Sequence, residues 1–133
     1  MCAAPLLALL SALVCAGCGG AAHKGRTVTF AGAGSFPPAT IVGNYSARDC
    51  TNDANTLVDD AHSYYVHSTS GPGPADLYYD DMRFDFARFE ADACTSKELG
   101  SAIERGLSPR QRAFLLHNVA SDLHRAFQAA LDS

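Results

Sequence analysis

Apolar residues divide this chain into three stretches of different character. Leu6 to Val14 is a short greasy run of Leu, Ala and Val, interrupted by Ser11. From Gly19 to Gly43 the chain is rich in Gly, Ala and Pro, with one β-like patch at Thr27 to Phe30 and a Pro37-Pro38 stop. That composition predicts a tether ending in a short strand or an irregular flap against the domain. Beyond Ser46 the apolar residues recur at helical spacing.

The first helix is the strongest. Ser46 is an N-cap, with Asp49 in a capping-box arrangement and Tyr45 and Cys50 placed to form a hydrophobic staple. Cys50, Ala54, Leu57, Val58, Ala61, Tyr64 and Tyr65 then make one apolar stripe. A Ser, Thr, Gly and Pro loop follows, and Pro74 and Asp76 open the second helix. Its main stripe is Ala75, Tyr79, Met82, Phe86, Phe89 and Ala93, flanked by Tyr78, whereas Leu77, Phe84 and Ala91 lie nearly opposite. Apolar groups on two faces predict a helix that is sandwiched, or one that shows a face to a partner. Thr95 and Glu98 start a short helix carrying Leu99, Ala102 and Ile103, which Gly106 ends. Ser108, Pro109 and Gln111 start a final helix with Leu116, Val119, Ala120, Leu123, Phe127 and Ala130 on one stripe. The expected fold is all-α: a small antiparallel bundle of three long helices plus one short helix.

Composition limits the function classes. All 14 acidic and 10 basic residues follow Cys18, so the region beyond it keeps the net charge of −4. Mild acidity without a clustered basic face argues against nucleic acid as a partner. The run before Cys18 falls short of the ~20 residues that cross a bilayer, and it has the character of a removed targeting signal. Ala16 and Gly17 stand immediately before Cys18. This segment resembles the signal of bacterial lipoprotein precursors. Cys15 stands where Leu is usual, and Met1 to Pro5 carries no positive charge. The resemblance stops at the first twenty or so residues. It implies cleavage before Cys18, lipidation of the Cys18 thiol and attachment to the outer side of the cytoplasmic membrane, with plain secretion as the alternative. The expected organisation is a signal peptide over 1–17, a lipidated N-terminus and tether over 18–43, and a helical bundle domain over 44–133.

With Cys2 and Cys15 in the signal and Cys18 given to lipid, Cys50 and Cys94 remain as a pair. An exported compartment favours a disulfide between them, and their spacing is not the CxxC of a zinc or redox site. Folding the first two long helices into a hairpin around Pro72 sets Cys50 opposite Cys94 and, in the same register, Tyr64 opposite Tyr79 and Tyr65 opposite Tyr78. The bridge and the tyrosines then sit ~21 Å apart, at opposite ends of the pair.

Tyr64, Tyr65, Tyr78 and Tyr79, with His67, Asp80 and Asp81 nearby, are candidates for an aromatic platform that binds peptide or glycan. The alternative is that they plug the bundle end with their hydroxyls in water. Leu77 and Phe84 are further binding candidates if their face is open. Asp59 with His62, and His117 with His124, have spacings that helical bundles use for metals, but neither completes a ligand set, so no metal or other cofactor is expected. Gly32-Ala33-Gly34-Ser35 lacks the remainder of a phosphate loop. The acids of the second helix, interspersed with Arg83 and Arg88, read as a solvated face with local ion pairs. With no catalytic constellation in view, the expected role is binding to an envelope protein or glycan, with a soluble secreted effector or inhibitor, or a small extracytoplasmic enzyme, as the alternatives.

Overall fold

Ser46 accepts a hydrogen bond from the Asp49 N–H at 3.3 Å, and the longest helix, α1 (Ala47–Thr69), begins there. Its predicted stripe is its buried face, with Cys50, Ala54, Leu57, Val58 and Ala61 all out of contact with solvent. These observations come from a computed structural model, which describes residues 24–70 and 73–133. Cys18, the 1–17 segment and Pro72 lie outside the described residues.

The second helix, α2 (Ala75–Ala91), runs back along α1. Cys50 and Cys94 form a disulfide with Cα atoms 5.4 Å apart, and Tyr64 and Tyr79 meet at the other end with ring centroids 5.2 Å apart. The termination of α2 delivers Cys94 to its partner. Ala93 adopts a left-handed φ of 57°, its N–H donates to the Glu90 carbonyl, and the Cys94 N–H donates to the Phe89 carbonyl. This Schellman closure turns the chain sharply enough to start α3 (Ser96–Gly106) one residue after its cap, Thr95. Thr95 and Glu98 form the complete reciprocal box, as do Ser108 and Gln111 at the start of α4 (Pro109–Asn118).

The predicted final helix is two helices. α4 stops at Asn118, and α5 (Ser121–Leu131) starts after an extended Val119-Ala120 link. Groups from outside the link satisfy the backbone that the break exposes. The Ala120 N–H donates to the Tyr79 hydroxyl at 2.9 Å, and His124 Nδ1 donates to the Leu116 carbonyl at 2.7 Å. The expected three long helices plus one short helix are therefore corrected to two long helices and three short ones among the described residues. Leu57, Met82, Leu99, Ile103, Leu115, Leu123 and Phe127 join α1 through α5 in one core. Each such side chain contributes about 1.5–3 kcal/mol on burial.

The fold is also not purely helical. Thr27–Phe30 is a strand, β1, paired antiparallel with β2 (Ala39–Val42) so that Val28 faces Ile41 and Phe30 faces Ala39. Ala33 and Phe36 close the turn with two backbone hydrogen bonds. Gly32-Ala33-Gly34-Ser35 is part of this turn, with φ of 91° at Gly32 and 55° at Gly34, where glycine avoids a steric cost. The hairpin lies on α2: Phe30, Ala33 and Ala87 form a second small core with Val28, Phe36, Ile41 and Phe84 around it. Its base is clamped to the end of α2, where the Arg26 N–H donates to the Ala91 carbonyl at 2.6 Å. Glycine is required at Gly43, since a Cβ there would collide with that same carbonyl. The strand expected at Thr27 to Phe30, at the end of the Gly, Ala and Pro-rich stretch, is thus half of a hairpin packed on α2.

Candidate binding site at the aromatic end

The antiparallel register gathers all four tyrosines at the end of the α1–α2 pair away from the disulfide. They divide by what they touch. Tyr64 and Tyr79 pack on the core, and Phe114 of α4 reaches Tyr64 at 5.7 Å and Tyr65 at 5.2 Å between ring centroids. Burial pushes the Tyr64 phenol above its ordinary value, with the Ser68 hydroxyl opposing the shift through a hydrogen bond. The Tyr79 hydroxyl is committed to the Ala120 N–H. Tyr64 and Tyr79 are therefore structural members of this end. Tyr78 lies outside them, stacked on His67 with centroids 4.8 Å apart and planes at 12°. Gly73 packs against the His67 ring, where a Cβ would clash. Leu77, next to Tyr78 in sequence, is 53% exposed, one of two large exposed hydrophobics among the described residues.

Phe84 is placed differently from Leu77. Its ring stacks on Phe36 at 4.8 Å and meets Phe30 edge-on at 5.4 Å, so the hairpin covers it. Ala91, on the same face, is fully buried. The second apolar face of α2 is thus sandwiched at Phe84 and Ala91 and open at Leu77. His67 and Tyr78 thus present a part-exposed pair of rings and Leu77 an exposed aliphatic group, a composition suited to contact with another molecule, whereas Tyr65 packs on Phe114 of α4.

One member of each candidate metal pair has another partner. His62 Nδ1 accepts from the Gln111 side-chain amide at 2.8 Å, and His124 holds α4 to α5. Among the described residues, Cys50, Cys94 and Glu98 bring potential ligand atoms within 4.8 Å of one another. Both sulfurs are spent in the disulfide, and Glu98 accepts from the Thr95 N–H in its capping box.

The acids of α2 are not all on a solvated face, as the sequence pattern suggested. Asp92 and Asp85 face Asp53 and Asp60 of α1. Burial raises Asp53 to about 6, aided by its hydrogen bond to Asp92 and by the charge of that carboxylate, with Arg88 opposing. Burial raises Asp60 to about 8, followed by the hydrogen bond and charge of Asp85 and then by Asp81 and Asp59. Asp53 Oδ2 is shut off from solvent without a conventional donor. Sequence reasoning missed these four residues, although the register that pairs Cys50 with Cys94 and Tyr64 with Tyr79 also pairs them. Comparison with protein-family models, curated proteins and solved structures finds no match to this chain.

Proposed function

We propose that this chain is a lipid-anchored extracytoplasmic module that binds a protein of the cell envelope through its aromatic end. The observation that carries the reading is Leu77, 53% exposed and next in sequence to Tyr78, whose ring stacks on His67. An exposed large aliphatic side chain on the same helix end as part-exposed aromatic groups with polar tips has the composition of a protein-binding surface. The buried Cys50–Cys94 bridge at the opposite end supports export, because such bonds persist in oxidising compartments. Anchoring rests on the resemblance of the segment before Cys18 to lipoprotein signals.

Two experiments test the two halves of this proposal. Metabolic labelling with a fatty-acid analogue should mark the wild type and spare Cys18→Ser; equal labelling of the two would remove Cys18 as the anchor and favour a secreted effector or inhibitor. Crosslinking in intact cells should recover an envelope protein with the wild type and lose it with Leu77→Asp, while Tyr79→Phe retains it. Undiminished recovery with Leu77→Asp and with Tyr78→Ala would move the binding surface away from this end.

A further inference from the structure

Asp53 and Asp60 are seven residues apart on α1, and their partners, Asp85 on α2 and Asp92 at its C-cap, are likewise seven apart. The contacts at the first pair leave room for one proton. Asp92 Oδ1 accepts the Asn44 N–H at 2.8 Å, which ties this carboxylate to the link between β2 and α1. Asp53 Oδ2, buried against the same seam, has no donor. If both groups were ionised, a desolvated acceptor would face a second carboxylate with nothing between them. A single proton on Asp53 converts that repulsion into a hydrogen bond between helices.

We propose that the α1–α2 seam is a proton-dependent clasp, in which Asp53 and Asp92 bridge the two helices through one shared proton and Asp60 and Asp85, set against each other by the register that joins Cys50 to Cys94 and Tyr64 to Tyr79, do the same, so that the packing tightens in acid and loosens in alkali.

The surrounding charges are consistent with this. Around Asp53, the charges are those of Asp49 from α1, Arg88 from α2 and Asp92 at the α2 C-cap; around Asp60 they are Asp59 from α1 and Asp81 and Asp85 from α2. From the other packed elements, Asn44 reaches Asp92, Arg105 of α3 bonds Asn55, and Gln111 of α4 bonds His62. Arg88 thus opposes the shift at Asp53, whereas the charges that act on Asp60 are all carboxylates. At neither pair does a third His, Cys, Asp or Glu side chain complete a trio of ligand atoms: among the described residues, the Cys50, Cys94 and Glu98 group alone brings three such atoms within 4.8 Å of one another.

The sign follows from proton counts. An unfolded Asp releases its proton near 3.8, whereas folded Asp53 and Asp60 hold theirs to about 6 and about 8. Between those limits unfolding releases protons, so the stability contributed by the clasp is complete below 3.8 and declines as pH rises, ending near 6 for the first pair and near 8 for the second.

The test is urea unfolding of the full chain, disulfide intact, at about pH 5 and about pH 8.5. After discounting for solvent screening at part-buried carboxyls, the wild-type midpoint should fall by about 1 M between the two. Asp53→Asn with Asp60→Asn keeps a donor in place of each proton, so its midpoint should stay level and exceed the wild type at the higher pH. A wild-type midpoint that does not fall, or an equal fall in the variant, overturns the proposal. So does a wild-type midpoint restored at the higher pH by calcium, which would assign the seam to a cation. Carboxyl-carbon NMR titration of the wild type needs no variant to fold: Asp53 and Asp60 should titrate well above the ordinary Asp range, and ordinary titration of both would refute the clasp.

Discussion

Phe84→Ala probes whether the β-hairpin is held by α2 or by its own backbone. Two strands in isolation are marginal in water, so the order of β1 and β2 must come mainly from what they pack on. Phe84 supplies much of that surface, stacking on Phe36 at 4.8 Å and meeting Phe30 at 5.4 Å. Removing a fully buried Phe costs about 3–5 kcal/mol, and each aromatic pair carries about 0.5–1.5 kcal/mol beyond area. Because Phe84 is only part-buried, the loss should be about 2–3 kcal/mol, concentrated on the hairpin. Native-state hydrogen exchange reads this directly. The amides of Ala33, Phe36 and Gly43, all bonded within or at the base of the hairpin, should exchange roughly 30–150 times faster. Leu57 and Val58 in α1 should change little, since they belong to the main core. Equal acceleration in α1 would show that the hairpin is one cooperative unit with the bundle. Unchanged hairpin amides would show that the Arg26–Ala91 clamp suffices without Phe84, and either result refutes the reasoning.

Cys50→Ala combined with Cys94→Ala opens a link spanning 44 residues, and on the chain-entropy account this costs about 4 kcal/mol, measurable as a lower urea midpoint. Ala93→Gly should stabilise by about 0.5–1 kcal/mol, read as a higher melting temperature, because the left-handed φ of 57° penalises a Cβ. Tyr79→Phe removes the acceptor of the Ala120 N–H and should cost about 0.5–1.5 kcal/mol in thermal or urea unfolding, whereas Tyr78→Phe should be close to neutral.

Features specified by neighbouring residues were legible in the sequence. Ser46, Thr95 and Ser108 mark three helix starts because a capping side chain bonds a backbone group three residues on. The break at Val119-Ala120 was not legible, because no Gly or Pro marks it. It is satisfied by a hydroxyl on α2 and by an imidazole in the next helix, and a continuous apolar stripe runs through it in the sequence. β2 was hidden for a related reason: Pro37 and Pro38 end whatever precedes them, but nothing forbids a strand immediately after. The carboxyl pairs escaped for a different one. Charged residues are almost always solvated, so a run of acids with two arginines reads as surface. The pairing register nevertheless applies to every residue along the seam, whatever its polarity. It sets Cys50 against Cys94 and Tyr64 against Tyr79, where like groups meeting is favourable, and by the same geometry it must set Asp53 against Asp92 and Asp60 against Asp85. Like carboxylates cannot both stay ionised at close range out of water. A helical pair that closes through its apolar groups and its disulfide therefore brings these four acids together, and protonation is the means by which the seam accommodates them.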